Sequence, residues 1–326
     1  VKSYWPIVIV TALLAAVPLC TTSNVVLNFL AMTLMIALAG QGWNLLGGYG
    51  GQYSFGHAAF FGTAAYATAI LQTRYGVNAW IGLAAGIAAG ALVGAVIGFL
   101  SFRSGLKGSY FSLLTLAFAE VLRIIASVAP ITGAGVGTLI KLDLRPEALQ
   151  FQSRLPFYWI ALALVALSLV VVRAIENSRF GVYLVAVREN EDAARALGVD
   201  TFAVKLGAIT VSAAITAAAG CFYAQYFLFV DAGIAYGPWI SIDALLAPIV
   251  GGAGTLFASL LGAFVVKTLG EATKLITGDA PGLDLVIYGV VLIAVVGLAP
   301  RGIAGLLGTV IPQRWQHIFM AEHRHG

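Results

Sequence analysis

SYWPIVIVTALLAAVPLCTTSNVVLNFLAMTLMIALAGQGWNLLGGYGGQYSFGHAAFFGTAAYATAILQT, residues 3–73, contains no charged side chain of either sign. The flanking charges are Lys2 and Arg74, and the first carboxylate of the chain is Glu120. A water-soluble domain needs charge on its surface, and so long an uncharged stretch cannot supply it. The whole chain agrees: 10% of its 326 residues are charged and 60% are hydrophobic, where an ordinary soluble domain carries about 25% charge. Mean hydropathy is +0.95. The chain therefore reads as a polytopic membrane protein, which excludes soluble enzymes, nucleic-acid binders and secreted domains. The apolar runs are long and continuous, whereas membrane barrel strands are about ten residues with alternation. Helices are then the only way to satisfy the backbone in lipid, so the expected class is all-α.

A spanning helix takes about 20 apolar residues. Spans are expected near 4–22, 25–46, 53–72, 78–101, 108–129, 156–175, 205–230, 241–266 and 283–300. The 38 glycines suit membrane helices that pack closely or break. Cys20 and Cys221 lie in apolar runs and read as small buried residues. The first run, with one Lys before it and no A-x-A-like site after it, reads as a span rather than a cleavable signal.

Orientation follows from the basic residues. The connection 173–205 carries Arg173, Arg179, Arg188, Arg195 and Lys205, which places it in the cytoplasm. Counting back puts loop 130–155 outside as a small cap, Arg103 and Lys107 inside, Arg74 outside and Lys2 inside. Counting forward over three spans puts the basic tail outside, against the same rule. A break at PIVGGAG, residues 248–254, removes the conflict. About 9–10 spans are expected, with broken or re-entrant segments near 47–57 and 248–254. Residues 1–311 are expected to form one transmembrane domain with a cytoplasmic loop at 176–204, and 312–326 a polar cytoplasmic tail. GG-x-G occurs at both 47–50 and 251–254, as broken-helix repeats would show.

The loop sequence SRFGVYLVAVRENEDAARALGVD, residues 178–200, writes its own short helix. Asn190 is an N-cap type, Glu191 and Asp192 suit the first turn, and Gly198 is a stop at C′. Glu191 and Arg195 form an i,i+4 pair in the better direction. A helix over 191–197 is too short to persist alone, so it is either a capped loop helix or a docking element. As a docking element it would bring the small residues Ala194 and Gly198 close to a partner surface.

Polar residues within the spans are the other candidates. Gln52, Ser54 and His57 follow the glycine-rich GGYGG at 47–51 and read either as the lining of a translocation path or as a helix-start cap. Tyr110, Phe111 and Thr115 lead into the next charged span as an interfacial belt or a path lining. Glu120 and Arg123 lie three residues apart on one helical face and are expected to pair, structurally or as a gate. Asp231 and Asp243 read as ordinary loop charges at the ends of two spans.

Asp192, Ala193, Ala194 and Gly198 spell D-A-A-x-x-x-G, which resembles the E-A-A-x-x-x-G loop of ABC importer permeases. GQYSFGHAAFFGTAAYATAIL (51–71), KGSYFSLLTLAFAEVLRI (107–124), the loop 178–198, IVGGAGTLFASLLGA (249–263) and PRGIAGLL (300–307) resemble, in order, branched-chain amino acid permeases of the LivM type. ITGAGVG, residues 131–137, departs from the family's usual T-G-G, in a loop that faces the binding protein.

The resemblance implies a transport subunit in a bacterial cytoplasmic (inner) membrane with both termini inside. Its expected partners are a LivH-like sister permease, two LivG- and LivF-like ATPase subunits and an external substrate-binding protein. It implies that Glu191, Asp192, Ala193, Ala194, Arg195 and Gly198 engage the ATPases. ATP and Mg would be bound in those partners, since this chain has no G-x-x-x-x-G-K-[ST] loop. No H-E-x-x-H or C-x-x-C metal motif occurs either. The implied substrates are branched-chain amino acids or similar small amphiphiles. The alternative is a self-sufficient secondary transporter, which would need intramembrane carboxylates for ion coupling; Glu120 is the one fair candidate.

Overall fold

The uncharged N-terminal stretch becomes two helices, α1 (Trp5–Cys20) and α2 (Asn24–Trp43), and α2 runs on through a π-helical turn at Asn44–Tyr49. The computed structural model describes residues 2–20, 23–277 and 283–298, with 302, 303 and 305. An irregular stretch separates the π-helical turn from α3 (His57–Tyr75). Then come α4 (Ala79–Arg103), α5 (Ser109–Val128) and α6 (Leu155–Glu176). The loop after α6 folds as α7 (Arg179–Glu189) and α8 (Glu191–Ala196). The chain returns through α9 (Thr201–Phe227), α10 (Ala232–Ala235), α11 (Pro238–Gly251), α12 (Ala258–Thr277) and α13 (Leu283–Leu298).

Among the described residues, six segments are long and apolar enough to cross a membrane: Asn24–Tyr49, Ala79–Arg103, Ser109–Val128, Leu155–Glu176, Thr201–Phe227 and Ala232–Gly251. The all-α polytopic reading therefore holds. The expected tail at 312–326 and most of 300–307 lie outside the described residues.

Helix α9 packs against α2, α3 and α4, and small residues set the approach. A Cβ on Gly90, Gly94 or Gly98 of α4 would come within 2.4 Å of Ala217, Ala213 or Ile209 of α9. Gly86 continues the stripe against Cys221. Glycine every fourth residue on α4 thus faces small or β-branched residues every fourth on α9, as in membrane small-xxx-small packing.

The apolar run 241–266 is two helices, not one span. Between α11 and α12 the chain turns through 252–257, and the helices fold back on each other. A Cβ on Gly262 would sit 1.6 Å from the Ala247 carbonyl oxygen, and one on Gly251 1.8 Å from that of Ala258. Asp243, expected in a loop, lies inside α11 and pairs with Lys267 of α12 at 3.1 Å. Asp231 caps α10, accepting from Gly233 and Ile234.

Two opposite ends of the helices can be told apart. At one, the Lys2 backbone N–H donates to Asn177 at 2.7 Å, and Lys107 reaches Glu191 at 3.3 Å. At the other, Arg74 donates to the Pro130 carbonyl and Trp80 to that of Pro146. There Thr138–Leu139 (β1) pairs antiparallel with Phe229–Val230 (β2). The residues assigned to the cytoplasm thus share one end, and Arg74 shares the other with loop 130–155.

Candidate functional site

The glycine-rich breaks at 44–56 and 252–257 meet at a single joint. Asn44, in the π-helical turn, accepts from the Gly254 backbone N–H and donates to the Thr255 carbonyl, both at 2.8 Å. Gln41, one turn earlier, donates to the Leu256 carbonyl at 3.2 Å. The backbones approach too closely for a side chain: a Cβ on Gly48 would lie 2.5 Å from the Gly254 nitrogen. Irregular backbone at membrane depth needs such partners, and here one amide side chain serves both breaks.

The joint is tied to the cytoplasmic loop. Arg188 of α7 donates from Nη1 to the Gly48 carbonyl at 3.0 Å. Leu184, one turn earlier, packs beside Gly50, and the Arg188 stem lies where a Gly51 Cβ would go. On the other side Tyr49 donates to Glu176 at 2.8 Å, and Glu176 pairs with buried Arg173.

Helix α8 follows α7 after one residue. Asn190 caps it as expected, accepting from the Ala193 N–H at 2.9 Å. Gly198 has φ +87°, the left-handed conformation of a C′ glycine. Glu191 forms the expected pair with Arg195 at 2.9 Å, and also meets Lys205 at 2.8 Å and Lys107 at 3.3 Å. Burial works to raise the Glu191 carboxyl pKa, but the hydrogen bonds and charges of Lys205 and Lys107 outweigh it and hold it below the ordinary value. The Lys205 ammonium lies 5.0 Å over the Phe102 ring. Glu191 thus anchors α8 to the chain's own helices.

Ala194 also points inward and is only 3% exposed, which corrects the expectation that a partner approaches it. The outward residues are Asp192, Ala193, Arg195, Ala196, Leu197 and Gly198. Leu197 is 86% exposed, a large apolar side chain standing free on the loop. Sequence reasoning passed over Leu197, Arg188 and Asn44. The signal for Leu197 was an apolar residue directly before the C′ glycine. Nothing local marks Arg188 or Asn44, whose partners lie 140 and 210 residues away.

The residues proposed to line a path divide. Ser54, His57, Phe111 and Thr115 are fully buried and hold the break after α2. Trp43 donates to the Ser54 carbonyl at 2.8 Å, and the Phe55 N–H donates to Thr115 at 3.1 Å. His57 Nε2 lies 3.0 Å from the Ser212 hydroxyl, which in turn donates to the Gly42 carbonyl. Phe111 stacks on Phe102. Gln52 is half-buried and bonds the Gly50 carbonyl. Tyr110 faces outward. Glu120 and Arg123 pair as expected, bidentately, on the outward face of α5.

Comparison with known proteins gives the family. Residues 25–296 match the family model described as branched-chain amino acid transport system / permease component. The chain is 28% identical over 296 residues to the high-affinity branched-chain amino acid transport system permease protein LivM of Escherichia coli (strain K12), covering 83% of this chain and 68% of that one. The LivM of Salmonella typhimurium (strain LT2) matches to the same extent. No solved structure matches the chain. The match over most of the chain makes it a member of the branched-chain amino acid transport system permease family.

Proposed function

We propose that this chain is one of two permease subunits of an ATP-driven importer for branched-chain amino acids or closely related small amphiphiles. It sits in a bacterial cytoplasmic membrane with both ends and the 176–204 loop inside. The observation that carries the reading is α8. Its inner face is anchored by Glu191 and Ala194, while Leu197 and its small neighbours stand exposed at the end shared by Lys2 and Lys107. A six-residue helix held on one face, with small residues, two charges and the following Leu197 exposed on the other, suits docking in a groove of a cytosolic ATPase.

The route from that surface into the membrane is short. Movement of α8 carries α7, and Arg188 passes it to the Gly48 carbonyl. Asn44 then shares it with Gly254 and Thr255, so both broken segments shift together. Glycine at the contact points lets the breaks change angle without side-chain clashes. A loaded binding protein would meet the opposite end, where loop 130–155 is pinned by Trp80 and Arg74.

The test is leucine uptake into vesicles holding this chain with its sister permease, ATPases and binding protein. Uptake that requires enclosed ATP and is indifferent to ion gradients supports the importer. Uptake by this chain alone, driven by a proton or sodium gradient, would make it a secondary transporter.

A further inference from the structure

Helix α5 carries charges that the joint and the loop leave unused. Arg123 donates from Nε to one Glu120 oxygen at 2.8 Å and from Nη2 to the other at 2.5 Å. At 1.5 Å per residue Glu120 lies about 16 Å along a helix that begins at Ser109, near mid-span. The pair is not inside the chain: the two side chains are 48% and 34% exposed. Around it, α5 turns Leu113, Leu116, Val121, Ile124 and Ile125 outward. Charges at this depth are costly against lipid and mark substrate paths or protein-lined cavities.

Pairing does not exhaust either group. A guanidinium has five N–H donors and a carboxylate about four acceptor sites, and the pair uses two of each. Arg123 therefore keeps donors for a second carboxylate, and Glu120 keeps acceptors for an ammonium.

We propose that the Glu120–Arg123 pair holds the two charged ends of a zwitterionic amino acid as it crosses. The substrate carboxylate lies on Arg123, its ammonium on Glu120, and its aliphatic side chain on the apolar surface of α5. This rests on the reading of the chain as an amino-acid permease. Four charges of alternating sign sum to zero, so no net charge enters the low-dielectric interior. A molecule with only one of the two charges leaves half of the site unpaired, which disfavours amides and simple carboxylic acids.

The experiment uses the full importer in vesicles, with ATP, labelled leucine, and the variants Glu120→Gln, Arg123→Gln and both together. All three are expected to lower uptake per folded complex by at least about tenfold, with the binding-protein-stimulated ATP hydrolysis of that complex unchanged. A double variant that regains full uptake overturns the proposal, because a pair that only neutralises itself is rescued by removing both charges. A second measurement guards against a purely structural loss. Ile124→Cys is labelled with a maleimide in the assembled complex, with the unsubstituted chain as background. Leucine is expected to protect it, and protection should vanish when the pair is replaced. A cysteine that stays unlabelled with or without leucine means another subunit seals this face, which overturns the proposal. If the unchanged complex moves no leucine, the amino-acid reading fails first and removes the ground for this site.

Discussion

Glu191 is held by three cations, Lys205, Lys107 and Arg195, at one end of the helices, whereas Glu120 meets Arg123 alone on an outward face in mid-span. In the first group three cations converge on one carboxylate, and Lys205 is only 4% exposed. Such a cluster holds a shape, and here the shape is the seat of α8. In the second group donors and acceptors remain, and the surroundings are apolar. The difference separates the part of the chain proposed to transmit force from the part proposed to recognise a solute.

The largest expected effect breaks the first group. Glu191→Gln leaves the buried Lys205 ammonium without its nearest carboxylate. Thermal unfolding of the purified complex should show a loss of about 3 kcal/mol. A change near zero would mean that Lys107 and Arg195 carry no weight in a real cluster and that α8 is a loose loop.

Next comes the link from loop to joint. Arg188→Ala removes a charge-assisted hydrogen bond to the Gly48 carbonyl, a loss of about 2 kcal/mol. ATP hydrolysis should continue while leucine uptake falls. If uptake per ATP is unchanged, the path through Gly48 and Asn44 is not the one that matters.

Acid gives a gentler perturbation. The Glu191 carboxyl is held below its ordinary value, so its contribution is fully present above the unfolded value, about 4.3, and is lost as pH falls through the folded one. Protease cleavage of the 178–200 loop should therefore be constant from neutral pH down to about 5 and rise only below about 4.3. Cleavage that rises near pH 6 would point to a titrating group other than Glu191.

The smallest effect sharpens the contrast. Replacing both Glu120 and Arg123 by Gln should leave the melting temperature of the complex unmoved, because neither side chain is buried in this chain. A drop as large as that of Glu191→Gln would make the two groups alike and end the comparison.

Much of this was legible from local sequence. An uncharged run, helix caps and an i,i+4 pair depend on neighbours in the chain, so residues 3–73 and 190–198 declared themselves. The break at 248–254 was legible because the charge rule failed without it. Glycine at positions 86, 90, 94 and 98 stands in the sequence too, but its partner stripe on α9 was not legible. Ala194 was misjudged because a small residue fits equally well under a partner or under the chain's own core. The shared GG-x-G at 47–50 and 251–254 linked the two breaks as a pattern, but nothing in it says that Asn44 bonds Gly254; that contact appears only when the fold brings the segments together.

The most direct test of the coupling account is Leu197→Asp in the assembled importer, followed by the amount of ATPase retained and the leucine moved per ATP hydrolysed. Leu197 touches solvent in this chain, so the permease pair should fold and melt as before. The account predicts that the ATPases dissociate, or that they hydrolyse ATP without moving leucine. Complexes that keep their ATPases and transport leucine at the original yield per ATP would contradict it.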